Sequence, residues 1–481
     1  MNLIIVDLIF LVLFLGFAGF FLYKKRKNLK QEGWLLLYRT SWGMKLIERT
    51  GKKYKKTLKV LSYISIILGF ILMVAMLILI VQTVYIYMTQ PQIAETLKAP
   101  PVMPLIPYFP QLFGLESMFP PFYFIYFIVA ILIVATCHEF FHGIFAARYG
   151  VKIKSTGFAF LKYFPAFFGA FVEQNDKQMT KKKKFEQMSI LSAGVFANIL
   201  VFLIVGILFL LFFKMAFAPA GVMYNTFSYE PMNLSQIEKI NGIDVQNHSF
   251  YGILGKMDDK GFNSILAENK TYIISKNDFA AQNESFKTYG GIILYDDAPA
   301  IRANFSRIIY AIDGVRVNSR AELAQELDKY RPGEEIEVTS LGSEGKRINQ
   351  VVTLGENSKN SSKAWLGIGF FESNSSGIRG AIVGVFSLVK TPGTYYEPAF
   401  DGQTVVFFYD LLWWVLLINL AVALFNMLPL GFLDGGRFFY LGVLGITKSE
   451  KVAEKSFKYI TYFLLLLLLA LMVKWVIAFF F

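Results

Sequence analysis

Only three histidines occur in this 481-residue chain, and two of them stand together in Thr136-Cys-His-Glu-Phe-Phe-His142. On a helix His138 and His142 lie one turn apart on one face, where both imidazoles can hold a single zinc ion, and Glu139 sits beside the first of them. A chance His-Glu-x-x-His in a chain so poor in histidine is an event on the order of one in a thousand. The competing reading is a pair of core histidines satisfied by neighbouring hydroxyls. It is weak here, because the run Phe122–Ala147 is apolar enough to cross a bilayer, and ionisable groups at that depth need a partner or a cavity.

Catalytic zinc takes three protein ligands and leaves its fourth position to water. His248 sits in a polar loop context and is a poor third ligand. Asp434 is a better one. The stretch Asn426-Met-Leu-Pro-Leu-Gly-Phe-Leu-Asp-Gly-Gly436 is an apolar segment broken by Pro429, Gly431, Gly435 and Gly436, and an unwound backbone at membrane depth is tolerated only against protein or a water-filled cavity. The alternative for Asp434 is a helix-terminating turn at the cytoplasmic interface. A zinc ion held by His138, His142 and Asp434 would lower the pKa of water toward about 7 and polarise a scissile carbonyl. Glu139 could then accept the water's proton and return it to the leaving amine.

The elements that must position these residues are membrane spans. The chain is 55% hydrophobic and only 17% charged, whereas soluble domains carry about a quarter charged residues. A span needs about 20 apolar residues, and six segments qualify: Leu3–Tyr23, Val60–Tyr87, Phe122–Ala147, Met188–Phe213, Val405–Leu430 and Tyr459–Phe481. The first lacks a basic start and a small-residue cleavage site, so it reads as a retained anchor. The net charge of +13 does not point to nucleic acid, because the Lys and Arg residues flank the apolar runs and read as orientation and headgroup contacts. Residues 24–59 carry 13 of them, residues 148–187 nine and residues 437–458 five, against Lys98 alone in the Pro-rich loop 89–121. The positive-inside rule therefore puts the three basic loops in the cytoplasm and both termini outside. Arg148 lies six residues after His142, which at about 1.5 Å per residue places the histidines roughly 9–15 Å from the cytoplasmic interface. The single cysteine, Cys137, excludes an intrachain disulfide.

Composition becomes globular only over roughly residues 219–400, on the outside by the same rule. Ile237-Glu-Lys-Ile-Asn-Gly-Ile-Asp-Val245 recurs as Ile309-Tyr-Ala-Ile-Asp-Gly-Val-Arg-Val317, and each copy alternates into an Asn-Gly or Asp-Gly pair, the hairpin signal. Ser319–Lys329 then has helical spacing behind a good N-cap, and Glu335–Thr339 returns to strand alternation. With the closing Gly290-Gly-Ile-Ile293 and Leu366-Gly-Ile-Gly-Phe370, this pattern resembles circularly permuted PDZ domains, well in the second unit and with no clear helix in the first. A generic β-rich domain is the plainer alternative.

His-Glu-x-x-His in one span and Leu-Asp-Gly in a later one resemble the site-2 protease family of intramembrane zinc metalloproteases, from about Phe122 to Arg437. The resemblance implies His138, His142 and Asp434 as ligands of one zinc ion and Glu139 as the catalytic glutamate. Gly169-Ala-Phe-Val-Glu173, after the apolar run Phe158–Phe168, resembles the family's membrane-re-entrant β-loop, and Gly194-Val-Phe-Ala-Asn198 its Gly-x-x-x-Asn element; Val195 stands where many members have proline. Asn198, and Asn426 with Pro429, are implied to handle the unwound substrate, though both amides suit helix bridging equally.

The expected fold is thus a polytopic α-helical membrane protein of about six spans with an inserted β-rich, PDZ-like extracytoplasmic region. Residues 1–121 hold two amino-terminal spans and 122–218 the first part of the protease core. Residues 219–292 and 293–371 form the two PDZ-like units, 372–404 a connector, 405–437 a core helix with Leu-Asp-Gly-Gly, and 438–481 the last span. The expected function is zinc-dependent hydrolysis of peptide bonds in transmembrane segments of membrane proteins, the PDZ-like units filtering or binding substrate. Partners are those substrates and the lipid bilayer, which Lys181–Lys184 would contact through anionic headgroups. The alternative is a zinc-binding transporter or non-proteolytic scaffold, disfavoured because a transporter would spread polar ligands along a path, whereas this chain concentrates one site beside a non-ligand glutamate.

Overall fold

The computed structural model describes residues 3–90, 100, 105–164, 168–342, 345–357, 360–370, 384–385 and 387–480. Parts of the Pro-rich loop (91–99 and 101–104), of the run Phe158–Phe168 (165–167) and of the expected connector (372–383) lie outside them. The chain divides into two units, Met1–Phe212 with Val406–Phe481, and Phe213–Val405.

In the first unit, six helices are long and apolar enough to cross a membrane. They are α1 (Leu3–Lys24), α3 (Lys55–Thr89), α4 (Phe124–Arg148), α5 (Lys184–Ala216), α6 (Gly402–Asn426) and α8 (Glu450–Phe480); the shorter α2 (Met44–Lys53) and α7 (Asp434–Thr447) accompany them. Each of the six expected spans therefore coincides with one of these helices over most of its length. The range 405–437, however, is not one helix, nor is 438–481. α6 stops at Asn426, residues 427–433 are irregular, and Asp434 opens a separate helix running to Thr447. Pro429 has no N–H to continue the α6 ladder, and glycines make the reversal possible. A Cβ on Gly435 would fall 2.5 Å from the Leu428 carbonyl oxygen, and one on Gly436 2.7 Å from the Leu430 carbonyl carbon.

The basic segment 24–59, read as a loop from sequence, is structured. β1 (Leu29–Glu32) and β2 (Leu35–Thr40) form a hairpin that continues into β3 (Ile153–Leu161) and β4 (Phe168–Gln174), giving a four-stranded antiparallel sheet. Gly169–Glu173 lies within β4, at one edge of it. α2 buries Ile47 and Gly51 and exposes Lys45, Arg49, Lys52 and Lys53. Gly51 lets it approach α4 closely, since a Cβ there would sit 2.8 Å from the Ile144 carbonyl oxygen.

Few polar groups are buried among the spans, and some of them tie helices together. Ser192 donates to Ser65 at 3.0 Å between α5 and α3. Asp7, a lone carboxylate in α1, is buried and accepts from the Tyr108 hydroxyl at 2.5 Å and from the backbone N–H groups of Phe124 and Ile125 at 2.8 and 2.9 Å. It thereby satisfies the exposed amide donors at the start of α4, the role an N-cap side chain usually fills from within.

The second unit contains two six-stranded sheets, and both sequence hairpins are present. The first sheet runs β6 (Tyr229–Met232), β11 (Ile292–Asp296), β10 (Lys270–Ser275), β9 (Phe262–Ala267), β7 (Ile237–Ile240), β8 (Ile243–Asp244). The second runs β15 (Arg347–Thr353), β14 (Glu335–Leu341), β12 (Ile308–Ile312), β5 (Phe217–Met223), β16 (Thr394–Pro398), with β13 (Val315–Arg316) on β12. The turns Asn241-Gly242 and Asp313-Gly314 both have positive φ at each residue, as a two-residue hairpin of right-handed strands requires. The expected helix spans Arg320–Leu327, capped by Ser319, whose hydroxyl accepts from Glu322 N. The first half, whose helix could not be placed from sequence, carries three short ones at Phe250–Leu254, Lys276–Ala281 and Asn283–Tyr289.

The two halves are nested rather than tandem. β5 belongs to the sheet that pairs it with β12 and β16, so the sheet of residues 229–296 is inserted after the first strand of the other. The range 219–292 therefore spans parts of both sheets.

Candidate metal centre

α4 carries the His-Glu-x-x-His sequence as a regular helix, and its side chains converge with those of two other elements. His138 Nε2 and His142 Nε2 are 3.0 Å apart, and Asp434 Oδ2 lies 3.2 Å from each. Both histidines are buried and the aspartate is half-buried. Ligand atoms about 2.0–2.1 Å from a tetrahedral zinc ion stand roughly 3.3 Å from one another, so the three atoms are spaced as one such ion requires.

α5 supplies the floor. A Cβ on Gly194 would fall 2.5 Å from His138 Nε2 and closer still to His142 Nε2, so only glycine allows both rings to rest there. The Ile190 carbonyl accepts from His142 Nδ1 at 2.7 Å, which leaves Nε2 with its lone pair directed at the shared point. One turn beyond Gly194, the Asn198 carboxamide lies 3.2 Å from His138 Nδ1, and Asn198 Oδ1 has no partner among the described residues. Asn198 thus joins α5 to a histidine ring of α4.

Glu139 is tied to the neighbouring sheet. Its Oε2 accepts from Val172 N of β4 at 3.0 Å, while its carboxylate remains within 4.8 Å of the histidine donor atoms. α7 is fixed at both ends: Arg437 donates to Gln187 Oε1 of α5 at 2.8 Å, and Lys184 Nζ to the Leu444 carbonyl at 3.0 Å. Pro429 is buried with its carbonyl accepting from Thr461 at 3.0 Å, and Asn426 is half-buried at the end of α6. Asn426 and Pro429 belong to the segment leading into Asp434, and no bond joins either to the histidines among the described residues. His248 lies in the second unit, bonded to the Ile237 carbonyl at 3.1 Å.

Compared with known proteins, residues 126–471 match the sequence profile of peptidase family M50, more than half of the chain. The chain belongs to that family. It is also 35% identical over 179 residues to an uncharacterized protein of Methanocaldococcus jannaschii, an alignment that covers 37% of this chain and 43% of that relative; the chain thus spans less than half of the relative's length. The M50 match begins inside α4 and ends inside α8, so α1, the β1–β2 hairpin, α2 and α3 precede it.

In this M50 chain the structure brings His138, Glu139, His142, Asn198 and Asp434 to one place. Sequence reasoning missed the Ile190 carbonyl and the Val172 N–H, because backbone groups carry no residue signature. It also passed over Asp7, although a lone carboxylate in an apolar span was signal enough.

Proposed function

We propose that this protein is an intramembrane zinc metalloendopeptidase that hydrolyses peptide bonds in transmembrane segments of other membrane proteins. The observation that carries the reading is the triangle of His138 Nε2, His142 Nε2 and Asp434 Oδ2, three acceptor atoms drawn together at the spacing of one tetrahedral cation. Two carboxylates are near enough to be the third ligand. Asp434 Oδ2 lies 3.2 Å from both histidine nitrogens, whereas Glu139 is engaged by β4 within 4.8 Å of the histidine ligand atoms; this division supports Asp434 as ligand and Glu139 as base. Bound there, zinc would supply Lewis acidity toward the scissile carbonyl and toward water.

The chain's own groups do the rest. Glu139 takes the proton of the attacking water at its carboxylate and returns it to the leaving nitrogen. The Ile190 carbonyl holds His142 in the tautomer that presents Nε2. Asn198 does the same for His138 when its amide oxygen, interchangeable with nitrogen by a half-turn, receives Nδ1–H; such outer partners orient metal ligands. The irregular segment 427–433, with Asn426 and Pro429, is suited to handling a substrate strand that has left its helix.

Charge distribution supports a multi-pass protein of the cell membrane with the site toward the cytoplasm and the second unit outside. The two hairpin-bearing sheets there act, on this reading, as PDZ-like filters of substrate ectodomains. The deciding experiment incubates purified protein with labelled single-span substrates. Wild type should cut some of them and Glu139→Gln should cut them roughly 10²–10⁴-fold more slowly while retaining zinc; a Glu139→Gln variant that cuts as wild type does would overturn the assignment. Cysteines placed at 290, 329, 182 and 451 in a Cys137→Ser background test orientation, and labelling of position 182 by an impermeant reagent in intact cells would reverse it.

A further inference from the structure

Beside the metal centre, on the other side of Glu139, lies a cavity of about 290 Å³. Its walls come from three stretches of chain: Trp42 just before α2 and Ile47 within it, Phe140 on α4, and Phe158, Ala170 and Phe171 on the β3–β4 pair. Most of the surface is apolar. Of the polar groups that reach it, the Thr156 hydroxyl is already engaged with the Trp42 carbonyl at 2.6 Å, which pins the approach to α2 against the sheet. The Thr136 hydroxyl, one turn before Phe140 on α4, is buried with no partner among the described residues. The remaining polar side chains are Thr40, whose hydroxyl lies 3.3 Å from that of Thr156 and accepts from Trp42 N at 3.1 Å, and Glu139 itself.

This is not the shape of a water path. At roughly 30 Å³ per water the space would take about ten molecules, yet its walls offer little for them to bond. It has the size of a small ligand pocket, which begins at about 300 Å³, and the usual make-up of one, apolar walls with few polar anchors.

We propose that the cavity is a specificity pocket for one large apolar side chain, aliphatic or aromatic, of the substrate residue flanking the scissile bond. The amino-terminal segment that precedes the family match completes it through Trp42 and Ile47. The inference rests on the peptidase reading given above. Glu139 ties the pocket to the reacting bond: its carboxylate lies near the histidines on one side and lines the cavity on the other, so a peptide bond held beside Glu139 has its neighbouring side chain at the mouth. The unpartnered Thr136 hydroxyl then bonds the backbone of that peptide. Residues outside the region matched by the family thereby choose which bonds this chain cuts.

The test uses the full-length protein and a set of single-span substrates that differ only at the residues flanking the mapped cleavage site, with Ala, Leu, Phe or Trp in turn. One well-filled apolar pocket discriminates by about 10–200-fold. Wild type should therefore favour Leu or Phe over Ala at one flanking position by at least tenfold in kcat/KM. Ala170→Phe, which fills the pocket, should lower the Phe-to-Ala ratio at least tenfold with zinc content retained, and Trp42→Ala should shift the same ratio. Equal ratios in wild type and both variants would overturn the pocket. A second measurement is independent of turnover. In Cys137→Ser, Glu139→Gln protein treated with a copper–phenanthroline oxidant, cysteine at 170 should form a disulfide with a substrate cysteine at the flanking position in preference to positions one and two residues away. Disulfides confined to one substrate position without any cleavage by the active protein would defeat the peptidase reading and leave only an apolar pocket that binds a substrate side chain. Cleavage by the active protein together with uniform cross-linking would defeat the pocket alone.

Discussion

Two clusters of charged and polar side chains in this molecule look alike on paper and differ in one respect. In the second unit, Lys270 Nζ lies 2.8 Å from Glu230 and 2.7 Å from the buried Asp296, while the Tyr272 and Ser228 hydroxyls complete the carboxylates at 2.7 and 2.5 Å. That cluster contains its own cation. The cluster of His138, His142 and Asp434 has three acceptor atoms at 3.0–3.2 Å and no lysine or arginine bonded to it among the described residues. Closely spaced acceptors without a donor charge are costly in a low-dielectric setting. The first arrangement therefore closes a sheet, whereas the second has the donor set that, on the proposed reading, a cation from outside would complete.

The sharpest way to break this contrast is to remove a ligand. His138→Ala, His142→Ala and Asp434→Ala should each lose both zinc and activity, read by metal analysis of the purified protein; full zinc occupancy in Asp434→Ala would remove it as a ligand. Gly194→Ala should come next, since its methyl would occupy the space of both rings, and zinc should fall with it. Glu139→Gln should keep zinc while activity drops by roughly 10²–10⁴-fold, the range of general acid–base catalysis; a zinc-free variant would end the separation of base from ligand.

The second cluster predicts smaller effects and none on zinc. Lys270→Met leaves Asp296 buried without its cation and should destabilise the second unit by about 1–3 kcal/mol, seen as earlier denaturant unfolding with unchanged metal content. Restoring balance with Lys270→Met plus Asp296→Asn should recover part of that loss.

Acidity provides the mildest probe. Bonds from Lys270 and Tyr272 hold the Glu230 carboxyl below its ordinary value of 4.5, so its contribution is present above pH 4.5 and disappears as pH falls through the lowered value. Burial alone would depress the Lys270 ammonium, yet its bonds to Asp296 and Glu230 raise it above 10.5; burial, then the bond to Glu230, pushes Tyr272 up to about 12. Their contribution is complete below pH 10 and is lost on the alkaline side. Unfolding of the second unit should accordingly show a plateau between about pH 5 and 10, and Lys270→Met should abolish the alkaline limb attributed to the lysine. A variant with the same alkaline limb would show that the lysine does not set it.

Local sequence determined what depends on local periodicity. Six apolar runs became six helices because a bilayer-length apolar segment must satisfy its backbone internally. His138 and His142 share a face because they are four residues apart on one of those helices. Asn241-Gly242 and Asp313-Gly314 turned where expected because few other residues take positive φ twice in succession, and Ser319 capped its helix for a reason contained in four residues.

Tertiary structure alone decided what depends on partners far along the chain. Asp434 lies 296 residues from His138, and only the reversal allowed by Gly435 and Gly436 carries its carboxylate to the histidines. The 24–59 segment joins the sheet of residues 153–174, and β5 leaves the range 219–292 for the other sheet, through strand edges whose backbone donors and acceptors are the same for every residue type. Asp7 finds the first turn of α4 across 117 residues for the same reason. Side-chain type and spacing are written in sequence; which backbone groups end up facing one another is fixed only when the chain has packed.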